Sequence, residues 1–281
     1  MLGLLLLQVL SSCLWLGHGE VVNSFASCPQ FFYRGTFPND VLEPQNAAYI
    51  CQHYSNSYRF ATLYDRDRRI PVYSAYKYQP GSGKRPHTWS FVEPQLIGNN
   101  SLKDMEREWD LRENHSIPID QIKESQAVLE DYEKAIFWDR GSLSPSGHQD
   151  DTDSKTATFT LTNTVPMDSY LYTDQWYNYE SEILPNFSKD CTTTYVITGA
   201  VPGNINISDN RVNVPHYIWS AACCLNGIEP MKGLGFIANN ENSHKEKLKL
   251  GELEDKLSTL YSGRTVTLFD NACPRQGTSR P

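Results

Sequence analysis

Apolar and polar positions along this chain recur at both strand and helix spacing. The stretch TATFTLTN (156–163) alternates strictly, with Ala157, Phe159 and Leu161 on one face and threonines on the other. A period of two predicts a half-buried strand. Residues 70–78, 193–201, 216–225 and 233–238 are rich in Val, Ile, Tyr and Thr and are expected to be strands as well. Helical spacing is rarer. Residues 120–136 place Ile122, Leu129, Tyr132 and Ile136 on one stripe. Residues 168–183 follow Pro166, offer Asp168 as N-cap, and align Tyr172, Trp176, Tyr179 and Ile183. A third stripe, Leu250, Leu253, Leu257 and Leu260, is closed by Gly263. Strands and helices do not alternate regularly, so the pattern predicts an α+β fold.

The first residues, MLGLLLLQVLSSCLWLGHGE, are mostly apolar and reach small residues near Gly19. They predict a signal peptide over 1–19 and one domain over 20–281, with no later run long enough to span a membrane. The product is therefore expected to be secreted and extracellular. Beyond that leader stand Cys28, Cys51, Cys191, Cys223, Cys224 and Cys273. An even number of cysteines in an oxidising compartment predicts up to three disulfides; Cys223 and Cys224 do not easily bridge each other, so each has a distant partner or one stays free. Asn99, Asn114, Asn186 and Asn206 each open an N-glycosylation sequon, which predicts exposed loops.

Charge sharpens the picture. The 281 residues carry a formal net charge of −8, so phosphate binding would need a local basic patch. Residues 59–89 supply one, with a net of +5 that includes Arg68, Arg69 and Lys77 among interleaved tyrosines. They are candidate nucleic-acid contacts. Residues 103–153 carry a net of −8. Within them Asp150, Asp151 and Asp153 offer hard oxygens, but nothing in the sequence fixes their geometry and a solvated acidic loop is the better expectation.

The chemistry-bearing stretch is FWDRGSLSPSGHQ (137–149), followed by the segment ending at Asn163, then Pro166 and the helix with Trp176 and Glu180. With CPQFFYRGTFP (28–38), FATLYDRDRRIPVYSAY (60–76), YVITGAVPG (195–203) and VPHYIWSAACC (214–224), it resembles the DNA/RNA non-specific endonucleases with a ββα-metal centre. The resemblance implies a central antiparallel sheet, a nuclease hairpin and helix, and nucleic acid as partner, an extracellular protein being the other candidate. It also implies hydrolysis by a histidine base and one Mg²⁺ held mainly by an asparagine.

Carried onto this sequence, Arg140 matches the family arginine and Asn163 the asparagine closing the second strand. Trp176 and Glu180 match the helix residues. Ser142 stands where the base belongs, and Tyr172 falls at the metal-ligand position. A serine hydroxyl is barely basic at neutral pH, and losing a general base costs on the order of 10²–10⁴ in rate. A neutral phenol is a poor Mg²⁺ ligand. The expectation is an impaired or inactive nuclease-like glycoprotein that retains phosphate contacts. The alternative is an active Mg²⁺-dependent endonuclease with a relocated base such as His148. His216 is expected to be structural.

Overall fold

The computed structural model describes residues 20–85 and 90–276. The expected leader, 1–19, lies outside them. In chain order the strands are β1 (Val21–Val22), β2 (Ala47–Tyr54), β3 (Ser57–Asp65), β4 (Ile70–Lys77), β5 (Phe91–Val92) and β6 (Glu106–Arg107). There follow β7 (Trp138–Ser142), β8 (Thr164–Asp168), β9 (Thr193–Val201), β10 (Ile205–Ile207) and β11 (Val212–Val214). The last three are β12 (Tyr217–Asn226), β13 (Glu229–Asn239) and β14 (Lys245–Leu248). Among the described residues, eight of them form one sheet in the order β1-β2-β3-β4-β9-β12-β13-β14, antiparallel throughout.

Both faces of this sheet are covered, which is why its central strands read as almost continuous apolar runs. Val196, Ala200, Ile218, Ala222 and Phe236 face one core, shared with Val165, Met167, Trp176 and Tyr179. Ile197, Trp219, Ala221 and Ile237 face the other, shared with the N-terminal turns and the last helix. Period-two alternation settles the vicinal cysteines too. Cys223 joins Cys273 in the second layer, while Cys224 joins Cys191, and Cys28 joins Cys51.

The four central strands called from sequence are present. The β2–β3 hairpin had no expectation attached, because its two-residue turn is Ser55-Asn56 rather than a glycine turn. Both residues take positive φ, 52° and 59°, as a tight hairpin of this hand requires.

Two expectations are corrected. Residues 156–163 are not a strand. The helices in chain order are α1 (Glu108–His115), α2 (Ile119–Lys123), α3 (Leu129–Glu133) and α4 (Thr152–Ala157), and α4 runs into a 3₁₀ turn, Leu161–Asn163. The Asp151 carboxylate caps α4 by accepting the Ser154 N–H, and Thr156 and Thr158 hydroxyls bond back to carbonyls of Thr152 and Lys155. Threonines that satisfy local backbone in this way no longer alternate across a sheet. Residues 120–136 are not one helix either. The Arg211 guanidinium takes the carbonyls of Lys123 and Gln126, and the Asp131 carboxylate accepts the Val128 N–H, so α2 ends and α3 starts afresh. Ile136 consequently points into solvent.

A continuous helix over 169–188, α5, follows β8. The Asp168 carboxylate accepts the N–H groups of Tyr170 and Leu171, as its N-cap role predicts. The final helix, α6 (Leu250–Leu260), buries Leu250, Leu253 and Leu257, and Gly263 turns the chain away at φ 77°.

Candidate phosphate-binding cavity

The site is built on the β7–β8 hairpin. Ser142 pairs with Thr164 and Arg140 with Pro166. Gly141 between them has no room for a side chain, since an added Cβ would meet Met167 Cβ at 3.0 Å. The 143–163 connection is held by Asn163. Its Oδ1 accepts from the Ser144 N–H (2.9 Å) and the Ser74 hydroxyl (2.8 Å), and its Nδ2 donates to the carbonyls of Ser144 and Thr158 (2.9 Å each).

Helix α5 carries the opposite wall. It contains π-type turns at Leu171–Trp176 and Tyr179–Ile183. The apolar residues it buries are Leu171, Trp176, Tyr179 and Leu184, at spacings of five, three and five instead of the predicted 172, 176, 179, 183 stripe. Each wide turn advances the buried register, a device that often marks functional helices. Tyr179 stacks on Phe236 at 4.5 Å and its hydroxyl donates to Ser220 (2.7 Å), which fixes the helix on the sheet. Tyr172, Thr173, Tyr177 and Glu180 are left facing the hairpin.

Between them lies a cavity of about 660 Å³. Arg85, Arg140 and Lys155 bring positive charge to it, Asp139 and Glu180 bring carboxyls, and Ser142 and Tyr172 both line its wall. Arg140 Nη1 donates to Ser90 Oγ at 3.0 Å. The buried Lys155 ammonium reaches the Ser146 carbonyl at 3.3 Å, and Arg85 lies over the Phe159 ring at 5.3 Å. Arg85 arrives on a segment that pairs with 148–152 through Gln79, Gly81, Gly83 and Lys84 N–H donors. Gly81 and Gly83 permit this approach, because a Cβ there would meet Asp150 O at 2.6 Å or Asp151 C at 2.4 Å.

The predicted site residues divide. Arg140, Ser142, Tyr172 and Glu180 come together at the cavity. Arg68, Arg69 and Lys77 do not. Arg68 pairs with Asp65 at 2.9 Å, Arg69 donates to the carbonyls of Lys123 and Arg211, and Lys77 lies over the Tyr195 ring. From the basic 59–89 segment, the cavity takes Arg85 among the described residues. Lys155 reaches the cavity from α4, a helix that the strand expected over 156–163 does not foresee. The Asp151-x-x-Ser154 capping pattern was the signal for it. Asp151 and Asp153 pair with Arg59 rather than forming a cation site. His216 faces Glu241 at 3.4 Å, away from the cavity. The sequon residues Asn114, Asn186 and Asn206 are exposed, though they sit on α1, α5 and β10 instead of loops, and Asn99 is half-buried.

His148 does not line the cavity. It is buried, its Nδ1 accepts from the Tyr76 hydroxyl at 3.0 Å, and its Nε2–H donates to the Glu180 carbonyl at 3.0 Å. Burial pushes its pKa down to about 4. Among the described residues no imidazole lines the cavity. Burial also pushes the Glu180 carboxyl up to about 8, with the Trp176 indole and the Arg85 guanidinium counteracting part of the rise. At neutral pH it is largely protonated. The donor set on the wall does not fit the Mg²⁺ typical of such nucleases: the Tyr172 phenol is a poor ligand for a hard cation, and the Asn163 carbonyl oxygen is already taken by two donors.

A large antiparallel sheet, a β-hairpin feeding a helix, and an arginine-bearing cavity between them define a ββα nuclease-type architecture. The chain belongs to the DNA/RNA non-specific endonuclease family, whose model matches residues 37–272. It is 36% identical over 212 residues to the Endonuclease domain-containing 1 protein of Homo sapiens, covering 73% of this chain and 40% of that protein. To the protein of the same name in Mus musculus it is 32% identical over 241 residues, covering 83% and 46%. The chain thus spans less than half the length of these relatives. The solved structure titled "Crystal structure of the EndoG/EndoGI complex: Mechanism of EndoG inhibition" has a TM-score of 0.51 and 16% identity, over 78% of this chain and 86% of that one. At that identity the likeness establishes the fold.

Proposed function

We propose that this chain is a nuclease-like module that holds phosphodiester backbone without hydrolysing it. One observation carries the reading: Ser142 and Tyr172, at the family's base and ligand positions, line the same cationic cavity. Hydrolysis needs a proton acceptor within hydrogen-bond reach of the attacking water and a counter-charge for the leaving oxygen. Serine and phenol provide neither. Arg85, Arg140 and Lys155 remain suited to phosphate oxygens through charge-assisted hydrogen bonds. Binding of this kind is sequence-tolerant and weakens with salt.

The test is digestion of plasmid DNA and of RNA with Mg²⁺, Mn²⁺ or EDTA, alongside a binding isotherm at several salt concentrations. The expected outcome is salt-sensitive binding with no chelator-sensitive cleavage. Cleavage that EDTA abolishes would reject the reading, and absence of binding at low salt would reject the phosphate role.

Export belongs to the same reading. Three disulfides and an apolar leader ahead of Glu20 support a secreted protein, and the exposed Asn114, Asn186 and Asn206 support glycan attachment. No described helix is long and apolar enough to cross a membrane. Full-length protein expressed in animal cells should appear in the medium and gain mobility after N-glycanase treatment. Retention in the cytosol, with unchanged mobility, would refute this.

A further inference from the structure

We propose that a second, smaller cavity, joined to the first at Arg140, seats one unpaired nucleobase and favours a base that carries an exocyclic amino group. The proposal rests on the phosphate-binding reading and names the class of strand that site takes. The second cavity measures about 400 Å³ and is lined by Ser90, Leu129, Tyr132, Glu133 and Arg140. Ser90 and Arg140 line both cavities, and the hydrogen bond from Arg140 Nη1 to Ser90 Oγ, 3.0 Å long, lies where the two meet.

One face of α3 makes the wall of this second cavity. Leu129, Tyr132 and Glu133 stand at i, i+3 and i+4, the spacing that puts side chains on the same side of a helix. Bonds on its other sides fix that face. Glu108 Oε2 accepts the Leu129 N–H at 2.9 Å, and the buried Asp131 carboxylate pairs with Arg211 at 2.9 Å. The Tyr132 hydroxyl donates to the Thr164 carbonyl at 3.3 Å, and Thr164 lies opposite Ser142 in the hairpin. Tyr132 therefore offers the cavity its ring, its hydroxyl being engaged. Glu133 is exposed, so its carboxylate is open to a ligand.

Charge distinguishes the two cavities. The first gathers Arg85, Arg140 and Lys155 and suits phosphate. The second sets a carboxylate beside Leu129 and Tyr132, which repels a further phosphate and suits a flat, uncharged group with N–H donors. A nucleotide whose phosphate sits at Arg140 carries such a group one sugar away. A carboxylate accepts hydrogen bonds and donates none. The amino groups of cytosine, adenine and guanine donate to it, whereas position 4 of uracil or thymine is a carbonyl that it repels. In a duplex the bases are stacked and paired, so the seat takes a base from a single strand.

Fluorescence anisotropy on the whole protein tests this with labelled oligo-dC and oligo-dU strands of equal length, which carry the same phosphates and differ on the pairing edge of the base. Oligo-dC is expected to bind about tenfold tighter than oligo-dU. The preference should vanish when the two are presented as duplexes with oligo-dG and oligo-dA. Glu133→Gln removes a negative charge and so strengthens both strands, but the ratio should fall to about one, since an amide donates to the uracil carbonyl as readily as it accepts from the cytosine amino group. A ratio near one in the unaltered chain, with both strands salt-sensitive and both weakened by Arg140→Ala, overturns the base seat and leaves the phosphate reading standing. A preference that survives Glu133→Gln, or that persists in the duplexes, also overturns it. Failure of both single strands to bind at low salt overturns the base seat and the phosphate reading together.

Discussion

Two ring nitrogens decide what His148 can do. With one bonded to Tyr76 and the other to the Glu180 carbonyl, and with a pKa near 4, the imidazole stays neutral and turned away from the cavity. A histidine close in sequence to the family base position is thus converted into a structural link between β4 and α5. Glu180 tells the opposite story. Its pKa, raised by burial to about 8, leaves it uncharged when the surrounding cations face phosphate at neutral pH. Raising pH through 8 ionises it beside Arg85 and adds repulsion for an anion. Oligonucleotide affinity should therefore fall between pH 7 and 9, beyond any change at an exposed control site, and Glu180→Gln should flatten that profile. The same sign governs stability: a carboxyl whose folded pKa is raised contributes most below about 4.5, and its contribution is lost as pH climbs through 8. A profile unchanged by Glu180→Gln would show that this carboxyl does not face the bound anion.

At the scale of elements, the site is a junction between local chemistry and sheet registry. Thr62, Ser74, Thr198 and Ser220 lie directly opposite one another on four neighbouring strands, and their hydroxyls run across an otherwise apolar face. Ser74 ends on Asn163 and Ser220 on Tyr179, so both walls of the cavity are pinned to this row. Asn163→Ala would strip partners from four buried groups at once and should cost roughly 2–4 kcal/mol of stability, read as a lowered denaturation midpoint. A change below about 0.5 kcal/mol would show that the clamp is dispensable. The strongly alternating or apolar strands β4, β9, β12 and β13 were legible because tertiary packing agrees with their local pattern. Segment 156–163 was not, because a cap at Asp151 and back-bonding threonines win over alternation. The two wide turns of α5 were also hidden. Nothing in a 3.6-residue pattern announces them, yet they are what shifts the buried stripe from 172 and 183 to 171 and 184.

Across the whole molecule, the sheet separates two layers with different duties. One face packs the N-terminal turns and α6 and is stapled by Cys28–Cys51 and Cys223–Cys273, while the other bears the cavity. Disulfides spanning such loops typically contribute about 2–4 kcal/mol each, which steadies the scaffold without touching the site. The net charge of −8 hides a local excess of cations, and sequence proximity misassigned it. Arg68, Arg69 and Lys77 are consumed by turns and rings far along β3 and β4, whereas Arg85 and Lys155 meet Arg140 only after folding. Arg140, Ser142, Tyr172 and Glu180 were legible from the family motif because the hairpin and helix bring that motif together. The central claim is that a hydroxyl and a phenol have silenced a nuclease scaffold. The most direct test is a digestion time course of DNA and RNA with the unaltered chain and with Ser142→His/Tyr172→Asn, each with Mg²⁺ and with EDTA. The account predicts intact substrate with the unaltered chain and metal-dependent nicking with the double variant. Brisk, EDTA-sensitive cleavage by the unaltered chain that disappears in Arg140→Ala would contradict it.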